Sequence, residues 1–297
     1  MTRSILVIGA GELGLQLIKA ITSHPSKPIV SVLLRDSSKT DLSKYPVKVI
    51  RGDITASIDG ISNLLKGYDI VISATGFSGG SGSQINLAKA ALKAKIPHYF
   101  PWQFGVNYDL IGRGSSQPLF DEQLDVRDLL RSQNKTKWTI ISTGLFTSFL
   151  FDKSFHVVDF ESKRKDKIAI IKALGNWNNK LTITSAEEIG YLTSRIVFDE
   201  EENPPEGVVF IASDTITFED VAKQVEKVGW SVEKQITTVD QLQDRLNKNS
   251  DDQGAKYGMI WARNVGVSWS LDDTWNGKNG VETESLDQWV NKNLARP

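Results

Sequence analysis

Three glycines near the start of the chain have the spacing of a phosphate-binding turn. Gly9, Gly11 and Gly14 follow the apolar run 4–8 and precede the amphipathic segment 15–21. In this context the first glycine allows a tight turn, the second lets the backbone approach a pyrophosphate, and the third lets a helix pack against a strand. The N–H groups at the start of that helix attract negative charge. The pattern predicts a dinucleotide site, and a glycine turn that binds nothing is the alternative.

Arg35, at the end of the second apolar run 30–34, indicates which dinucleotide would bind. A guanidinium in this place fits the 2′-phosphate of NADP, whereas NAD sites usually carry an acidic residue there. Asp36 follows directly and would favour NAD if it faced the ribose. Lys39 and Lys44 lie just beyond and add the positive charge that favours a phosphate. We therefore expect NADP(H) as the cofactor.

Apolar runs that alternate with amphipathic segments predict the fold that would position these residues. The predicted strands are 4–8, 30–34, 47–51, 69–74, 96–101 and 138–143, with helices between them. This alternation is typical of an α/β fold with a Rossmann-type, doubly wound parallel sheet. In the second half, Thr217 and Ser285 carry helix-capping patterns among short strands. We predict an NADP-binding Rossmann domain over 1–150 and a smaller α+β substrate-binding part over 151–297, intertwined with the first.

The composition excludes several classes of function. The 297 residues include no cysteine and three histidines, and the net charge is −1. The lack of cysteine excludes disulfides, thiolate nucleophiles and iron–sulfur clusters, and three scattered histidines do not have metal-site spacing. The charge gives no reason to expect a nucleic-acid partner, and no apolar stretch approaches the roughly 18 residues of a membrane span. We expect a cytoplasmic monomer or homodimer without metal, nucleic-acid or membrane partners.

A family resemblance enters with the segment 96–109, which reads IPHYFPWQFGVNYD. Together with the glycine turn it resembles the NmrA-like family, a branch of the atypical short-chain dehydrogenases that also holds the isoflavone and phenylcoumaran benzylic ether reductases. PWQFG at 101–105 looks like a variant of the family's PSEFG. Segments 119–127 and 142–146 are similar to fungal members described as NADPH-dependent aromatic alcohol reductases. The resemblance implies an NADPH-dependent reductase of an aromatic or other small carbonyl compound.

The resemblance also implies which residues hold the cofactor. It places the loop 75–77 beside the cofactor and the segment 101–104 near the nicotinamide ribose. The cofactor-binding residues that it implies are Gly9, Gly11, Glu12, Leu13, Gly14, Arg35, Lys44, Thr75, Gly76, Phe77, Trp102, Gln103, Phe104 and Arg127. For the aromatic substrate we expect contacts with Phe104, Gly144 and Phe146.

The catalytic lysine of the plant reductases, four residues before the arginine that Arg127 matches, is Gln123 in this chain. Glutamine is neither a charged donor nor a base near neutral pH, but it can hydrogen-bond a carbonyl oxygen or orient a water. The Tyr-x-x-x-Lys pair of ordinary short-chain dehydrogenases is absent from the sequence. Water, Tyr108 or Tyr99 must then supply the proton, and Tyr108 is preferred because it follows the segment 101–105. Gln123 and Tyr108 are the candidate catalytic residues.

The missing lysine leaves a second function open. Some members of the family that this chain resembles are regulatory proteins. A non-catalytic regulatory protein that senses NADP(H) would tolerate the loss of the lysine. A sugar-nucleotide epimerase is a third interpretation, but it would require the absent Tyr-x-x-x-Lys pair. Turnover of an aromatic aldehyde with NADPH would separate the reductase from the regulator.

Overall fold

The structure is a computed structural model that describes residues 2–77, 79–199 and 204–294. Its strands are β1 (Ser4–Ile8), β2 (Ile29–Leu34), β3 (Val47–Arg51), β4 (Ile70–Ser73), β5 (His98–Phe100), β6 (Lys137–Ser142), β7 (Leu145–Phe146), β8 (Val158–Asp159), β9 (Ile168–Leu174), β10 (Lys180–Thr184), β11 (Gly207–Phe210), β12 (Asp214–Thr217) and β13 (Ser231–Thr237). Its α-helices are α1 (Glu12–Thr22), α2 (Ile58–Leu65), α3 (Ser83–Ala94), α4 (Tyr108–Ile111), α5 (Leu119–Arg131), α6 (Thr147–Leu150), α7 (Ala186–Phe198), α8 (Phe218–Lys227), α9 (Val239–Lys248), α10 (Gln253–Arg263), α11 (Trp275–Lys278) and α12 (Leu286–Asn293).

The chain forms two compact units, each drawn from several separate segments. Unit 1 is made of Met1–Phe104, Leu119–Ser142 and Ala186–Val209. Unit 2 is made of Gly105–Pro118, Thr143–Ser185 and Phe210–Pro297. The predicted division of roles at residue 150 stays a prediction.

Unit 1 is built on a seven-stranded sheet with the order β11-β6-β5-β4-β1-β2-β3. The pairs β1–β2, β2–β3, β1–β4, β4–β5 and β5–β6 are parallel. The chain proceeds outward from β1 in one direction to β3 and then in the other direction from β4 to β6. This reversal makes the sheet doubly wound, as predicted, and creates a crevice at the carboxyl ends of β1 and β4, where α/β proteins bind ligands.

Helices α1, α2, α3 and α5 pack against this sheet, and α7 packs against α1. The apolar positions of α3 and α5 pack on the central strands, in a core that includes Leu6, Val71, Leu87, Tyr99, Val126 and Leu130. On another helix pair, a Cβ at Gly190 of α7 would lie 2.6 Å from the backbone of Gln16 in α1. Only glycine therefore allows α1 and α7 to approach this closely.

Unit 2 contains two small sheets in its described residues, β12-β10-β7 and β13-β9-β8. β9 pairs in parallel with β13 and antiparallel with β8. The helix starts predicted at Thr217 and Ser285 both form complete capping boxes, with Asp220 and Gln288 respectively. Over the described ranges, no helix is long and apolar enough to span a bilayer.

All the strands predicted for the first half are confirmed, each within two residues at either end. β11, which lies in the half predicted to form the smaller α+β part, instead joins the edge of the central sheet beside β6. The paired strands β9 and β13 were not predicted. β9 is a buried apolar run, which periodicity alone does not distinguish from a helix.

Candidate active site

The glycine turn connects β1 to α1 as its spacing predicts. Gly9 has φ +94°, and its N–H donates to the carbonyl of Leu33 at 3.0 Å. A Cβ at Gly14 would lie 2.3 Å from the carbonyl oxygen of Gly9, so any larger residue would separate helix from strand. Gly11 is the N-cap of α1, and apart from its two neighbours in the chain no described residue has an atom within 4 Å of a Cβ built there. The turn thus leaves open space beside the first N–H groups of α1, among them those of Glu12 and Leu13.

A cavity of about 270 Å³ lies next to this turn, at the carboxyl ends of β1, β2 and β4. Four of the predicted cofactor residues, Gly9, Gly11, Arg35 and Thr75, line it together. The remaining lining residues are Ile8, Ala10, Leu33, Leu34, Ser38, Thr40, Gly52, Ile54 and Ala74. The cavity is therefore apolar along the strands and polar at the loops that follow β2 and β4.

The loop after β2 is held in shape by hydrogen bonds. Ser38 N–H donates to the carbonyl of Arg35 at 3.0 Å, and Ser38 Oγ lies 3.3 Å from Thr40 Oγ1. Arg51 Nη1 donates to the carbonyls of Arg35 and Ser38 at 2.8 and 3.1 Å. The loop thereby presents one guanidinium and two hydroxyls to the cavity, which are donors that a phosphate could use. Ser38, Thr40 and Arg51 were not predicted from the sequence, although the two hydroxyls lie in the segment that directly follows Arg35.

Asp53, which lies between the lining residues Gly52 and Ile54, interacts electrostatically with Arg35. Backbone and side-chain hydrogen bonds from Thr55, and in smaller part the charge of Arg35, hold the pKa of the Asp53 carboxyl below its usual value. Lys44 is not among the described residues that line the cavity, and its ammonium lies 5.1 Å from the centre of the Tyr45 ring. The 2′-phosphate role of Lys44 therefore stays a prediction.

The loop after β4 carries the predicted residues Thr75, Gly76 and Phe77. Gly76 has φ +59°, and its carbonyl accepts a hydrogen bond from Gln84 Nε2 at 2.6 Å. The Phe77 ring meets the Trp102 ring edge to face, with 4.5 Å between the ring centres. Phe77 and Trp102, predicted separately, thus lie in contact.

Three fully buried polar residues connect the segment after β5 with α5. Gln103 Nε2 donates to the backbone carbonyl of Gln123 at 2.8 Å, and Arg127 Nε donates to Gln103 Oε1 at 2.8 Å. All three side chains have 0% exposure, and Phe104 has 4%. Gln103 and Arg127 therefore bond to each other and to the backbone of Gln123, and their predicted contact with the cofactor stays a prediction.

Gln123 is one of several described residues with a buried polar side-chain atom that has no hydrogen-bond partner, and Ser62, Thr136 and Ser142 are others. Neither Oε1 nor Nε2 of Gln123 has a hydrogen-bond partner among the described residues. Leaving a buried polar group unsatisfied costs about 1–3 kcal/mol, so such groups are rare and call for an explanation. An amide in this state can donate one hydrogen bond and accept another without breaking any existing one.

The other predicted residues lie in unit 2. Tyr108 opens α4 and is 3% exposed, and a Cβ at Gly105 would lie 2.8 Å from its hydroxyl oxygen. Gly144 has φ +71°, and a Cβ there would lie 2.1 Å from the carbonyl oxygen of Thr182. Phe146 ends β7 and is half-buried. Tyr108 is thus a packed residue held beside a glycine, and these three substrate and catalytic assignments stay predictions.

Two titratable side chains of β5 belong to the core. Burial lowers the pKa of His98 to about 4, and its Nε2 lies 2.7 Å from Thr139 Oγ1. Burial raises the pKa of Tyr99 above its usual value. Tyr99 is therefore a weaker acid than an ordinary phenol, and His98 is neutral at physiological pH. In the described part of the chain, no group of three His, Cys, Asp or Glu residues could hold a metal ion.

Comparison with known proteins identifies the class of this chain. The model of the NmrA-like family matches residues 1–256. An "NmrA-like family domain-containing oxidoreductase" from Gibberella moniliformis is 37% identical over 305 residues, which cover 98% of both chains. The structure resembles that of isoflavone reductase, with a TM-score of 0.75, 18% identity and coverage of 98% and 99%. It also resembles the Citrobacter sp. triphenylmethane reductase complexed with NADP(H), with a TM-score of 0.74, 18% identity and coverage of 98% and 100%.

These matches confirm the resemblance and the fold class predicted from the sequence. The chain belongs to the NmrA-like family, and by class it is an oxidoreductase.

Proposed function

We propose that this protein is an NADPH-dependent reductase that transfers hydride to an aromatic or other small carbonyl compound and interconverts aldehyde and alcohol. The observation that carries the proposal is the cavity in which the glycine turn, Arg35 and Thr75 meet. The names of the relatives support it as well, since the triphenylmethane reductase of the same fold is complexed with NADP(H).

The residues that are present fit NADP(H). The open space at Gly11 leaves room for a pyrophosphate beside the start of α1, where helix N–H groups favour negative charge. Arg35, Ser38 and Thr40 offer a charged and two neutral donors to a 2′-phosphate. Thr75 and Gly76 would lie along the nicotinamide half. The bound cofactor supplies the hydride.

Gln123 is the proposed partner of the substrate carbonyl. Its Nε2 would donate to the carbonyl oxygen and polarise it, which satisfies an amide that is otherwise buried without a partner. Because an amide does not release a proton near neutral pH, the alkoxide must take its proton from a hydroxyl group or from water. Tyr108 is the proposed donor, on the basis of its place after the segment 101–105.

A second function is supported by Gln123, which the family resemblance places at the position of the plant reductases' catalytic lysine. On this alternative the protein binds NADP(H) at the same cavity and regulates a partner protein without turnover. The cofactor site is common to both functions, so cofactor binding alone does not separate them.

The test is to mix the purified protein with NADPH and a panel of aromatic aldehydes, and to follow the absorbance of the reduced nicotinamide. We expect turnover of at least one aldehyde, with Gln123→Ala much slower. Tight binding of NADPH with no turnover of any aldehyde, together with a co-purifying regulatory protein, would instead support the sensor. If calorimetry detected neither NADPH nor NADP⁺ binding, both functions would be rejected.

A further inference from the structure

A buried carboxylate from α5 caps the start of α3. Glu122 is 9% exposed, its Oε2 accepts from the N–H of Gly82 at 2.9 Å, and its Oε1 accepts from Gln84 and Ile85 N–H at 2.8 and 3.2 Å. The N-cap of α3 is Gly82, with φ +85°, which has no side chain of its own to cap the helix. A carboxylate is favoured at a helix start, where N–H groups lack intrahelical partners. α5 therefore supplies the cap that α3 lacks.

Gln84 connects this helix start to the loop that lines the cavity. Its side chain is 2% exposed, and Nε2 donates to the carbonyl of Gly76 at 2.6 Å and to Thr75 Oγ1 at 3.1 Å. Thr75 is one of the cavity residues, and Gly76 follows it with φ +59°, a conformation that glycine adopts without strain. Glu122 thus binds the backbone of Gln84, and the side chain of Gln84 binds the loop.

The same carboxylate directly precedes the candidate catalytic residue. Glu122 and Gln123 are neighbours on α5, and the backbone carbonyl of Gln123 is fixed in turn by Gln103. A continuous set of hydrogen bonds and helix backbone therefore runs from Thr75, through Gln84 and Glu122, to Gln123.

We propose that Glu122 is a positioning residue, which acts through Gln84 to hold the loop 75–77 in a fixed place relative to Gln123. The inference rests on the proposed function, since that function assigns the loop to the cofactor and Gln123 to the substrate carbonyl. A helix cap with a structural role alone would change overall stability. A positioning residue would also change the local order of the loop and the rate of hydride transfer at saturating cofactor.

The test compares wild type with Glu122→Ala, Glu122→Gln and Gln84→Ala by amide hydrogen exchange without cofactor. Glu122→Ala should speed exchange in both 75–77 and 82–86 by about tenfold, which corresponds to loss of one or two net hydrogen bonds. Glu122→Gln should give a smaller effect, because its amide oxygen still accepts from Gln84 and Ile85 whereas its NH₂ group opposes the N–H of Gly82. Gln84→Ala should speed exchange in 75–77 and leave 82–86 as in wild type.

Kinetics give the second readout. Gln84→Ala should slow single-turnover hydride transfer at saturating NADPH by about tenfold, with little change in the KM for the aldehyde. The matched control is Glu187→Gln, which also removes a carboxylate from the first turn of a helix and breaks an ion pair with Lys19, but at 51% side-chain exposure. It should leave both the exchange of 75–77 and hydride transfer unchanged.

The inference is overturned if Glu122→Gln and Gln84→Ala fold and then exchange in 75–77 at the same rate as Glu187→Gln. These two variants decide the matter even if Glu122→Ala fails to fold. Failure of the proposed function would be a separate result. Hydrogen exchange is measured without cofactor, so it still tests the role of Glu122 if the wild type neither binds NADPH nor turns over an aldehyde.

Discussion

Replacing Arg35 with alanine should weaken the binding of NADPH and leave the binding of NADH unchanged. Arg35 lines the cavity with an exposed guanidinium, and a hydrogen bond to a charged group contributes about 1.5–3 kcal/mol. Since about 1.4 kcal/mol corresponds to a factor of ten, the Kd for NADPH should rise about ten- to a hundredfold. Ser38 and Thr40 retain their donors, so the lower end of this range is expected. NADH lacks the 2′-phosphate and has nothing to lose at this position.

The substitution tests the guanidinium and not the loop. Arg51 holds the loop through the backbone carbonyls of residues 35 and 38, and these bonds do not depend on the side chain at 35. Isothermal titration with NADPH and NADH, at low and high salt, gives the four affinities required. The selectivity of wild type should fall with salt, because an exposed charge pair is screened.

The control for this experiment is Arg164→Ala. Arg164 is an exposed arginine paired with Glu161 at 3.0 Å, outside the cavity lining, and its loss should leave both affinities unchanged. Equal weakening of NADPH and NADH in Arg35→Ala would show that Arg35 acts on the part that the two cofactors share. No weakening of either would remove the 2′-phosphate assignment altogether.

Three further predictions concern Gly14, Gln123 and His98. Gly14→Ala should lower the free energy of unfolding by at least about 1–3 kcal/mol in thermal melts, because the new Cβ would lie 2.3 Å from the carbonyl oxygen of Gly9. The control is Gly60→Ala within α2, where a Cβ makes ordinary contacts and the change should be neutral or stabilising. Gln123→Ala should lower kcat in steady-state kinetics about tenfold or more and leave the Kd for NADPH, measured by titration, unchanged. A weaker affinity for NADPH would instead show that Gln123 contacts the cofactor. His98 has a folded pKa of about 4, below its unfolded value of about 6.5, so the unfolded state binds more protons between these two pH values. The free energy of unfolding should therefore rise with pH from about 4 to 6.5 and level off above. His98→Gln should flatten this slope in urea titrations, and an unchanged slope would contradict the burial of a neutral ring.

Local sequence patterns were sufficient to predict the sheet of unit 1 and its glycine turn. β1, β2 and β4 are short, mostly apolar runs, and the residues that define the turn lie within six positions of one another. The capping boxes at Thr217 and Ser285 were predictable for the same reason, since both partners lie three residues apart. The residues that determine the strands, the glycine turn and the capping boxes each lie within one short segment of the chain.

The hydrogen bonds that hold the site residues in place could not be predicted from local sequence patterns. Glu122 caps a helix that begins about forty residues earlier, and Gln103 meets Arg127 from a different element. In the sequence each of these is an ordinary polar residue beside a recognisable motif. Their pairing follows from how α3, α5 and the end of β5 pack together, which periodicity does not specify.

A substitution at position 123 offers a test that separates the two functions proposed for this cofactor cavity. If the chain bound NADP(H) without chemistry, an apolar side chain of similar shape would fill the same buried space and avoid the cost of an unsatisfied amide, which is about 1–3 kcal/mol. The chain instead keeps both polar atoms of Gln123 buried and without partners among the described residues, while Gln103 holds its backbone. In the proposed mechanism, a substrate carbonyl oxygen would accept a hydrogen bond from Nε2 and recover part of that cost. If the protein is a reductase that uses this amide, Gln123→Leu, an apolar replacement of nearly the same volume, should lower kcat, whereas binding of NADP(H) by a non-catalytic sensor should be unchanged by the same substitution.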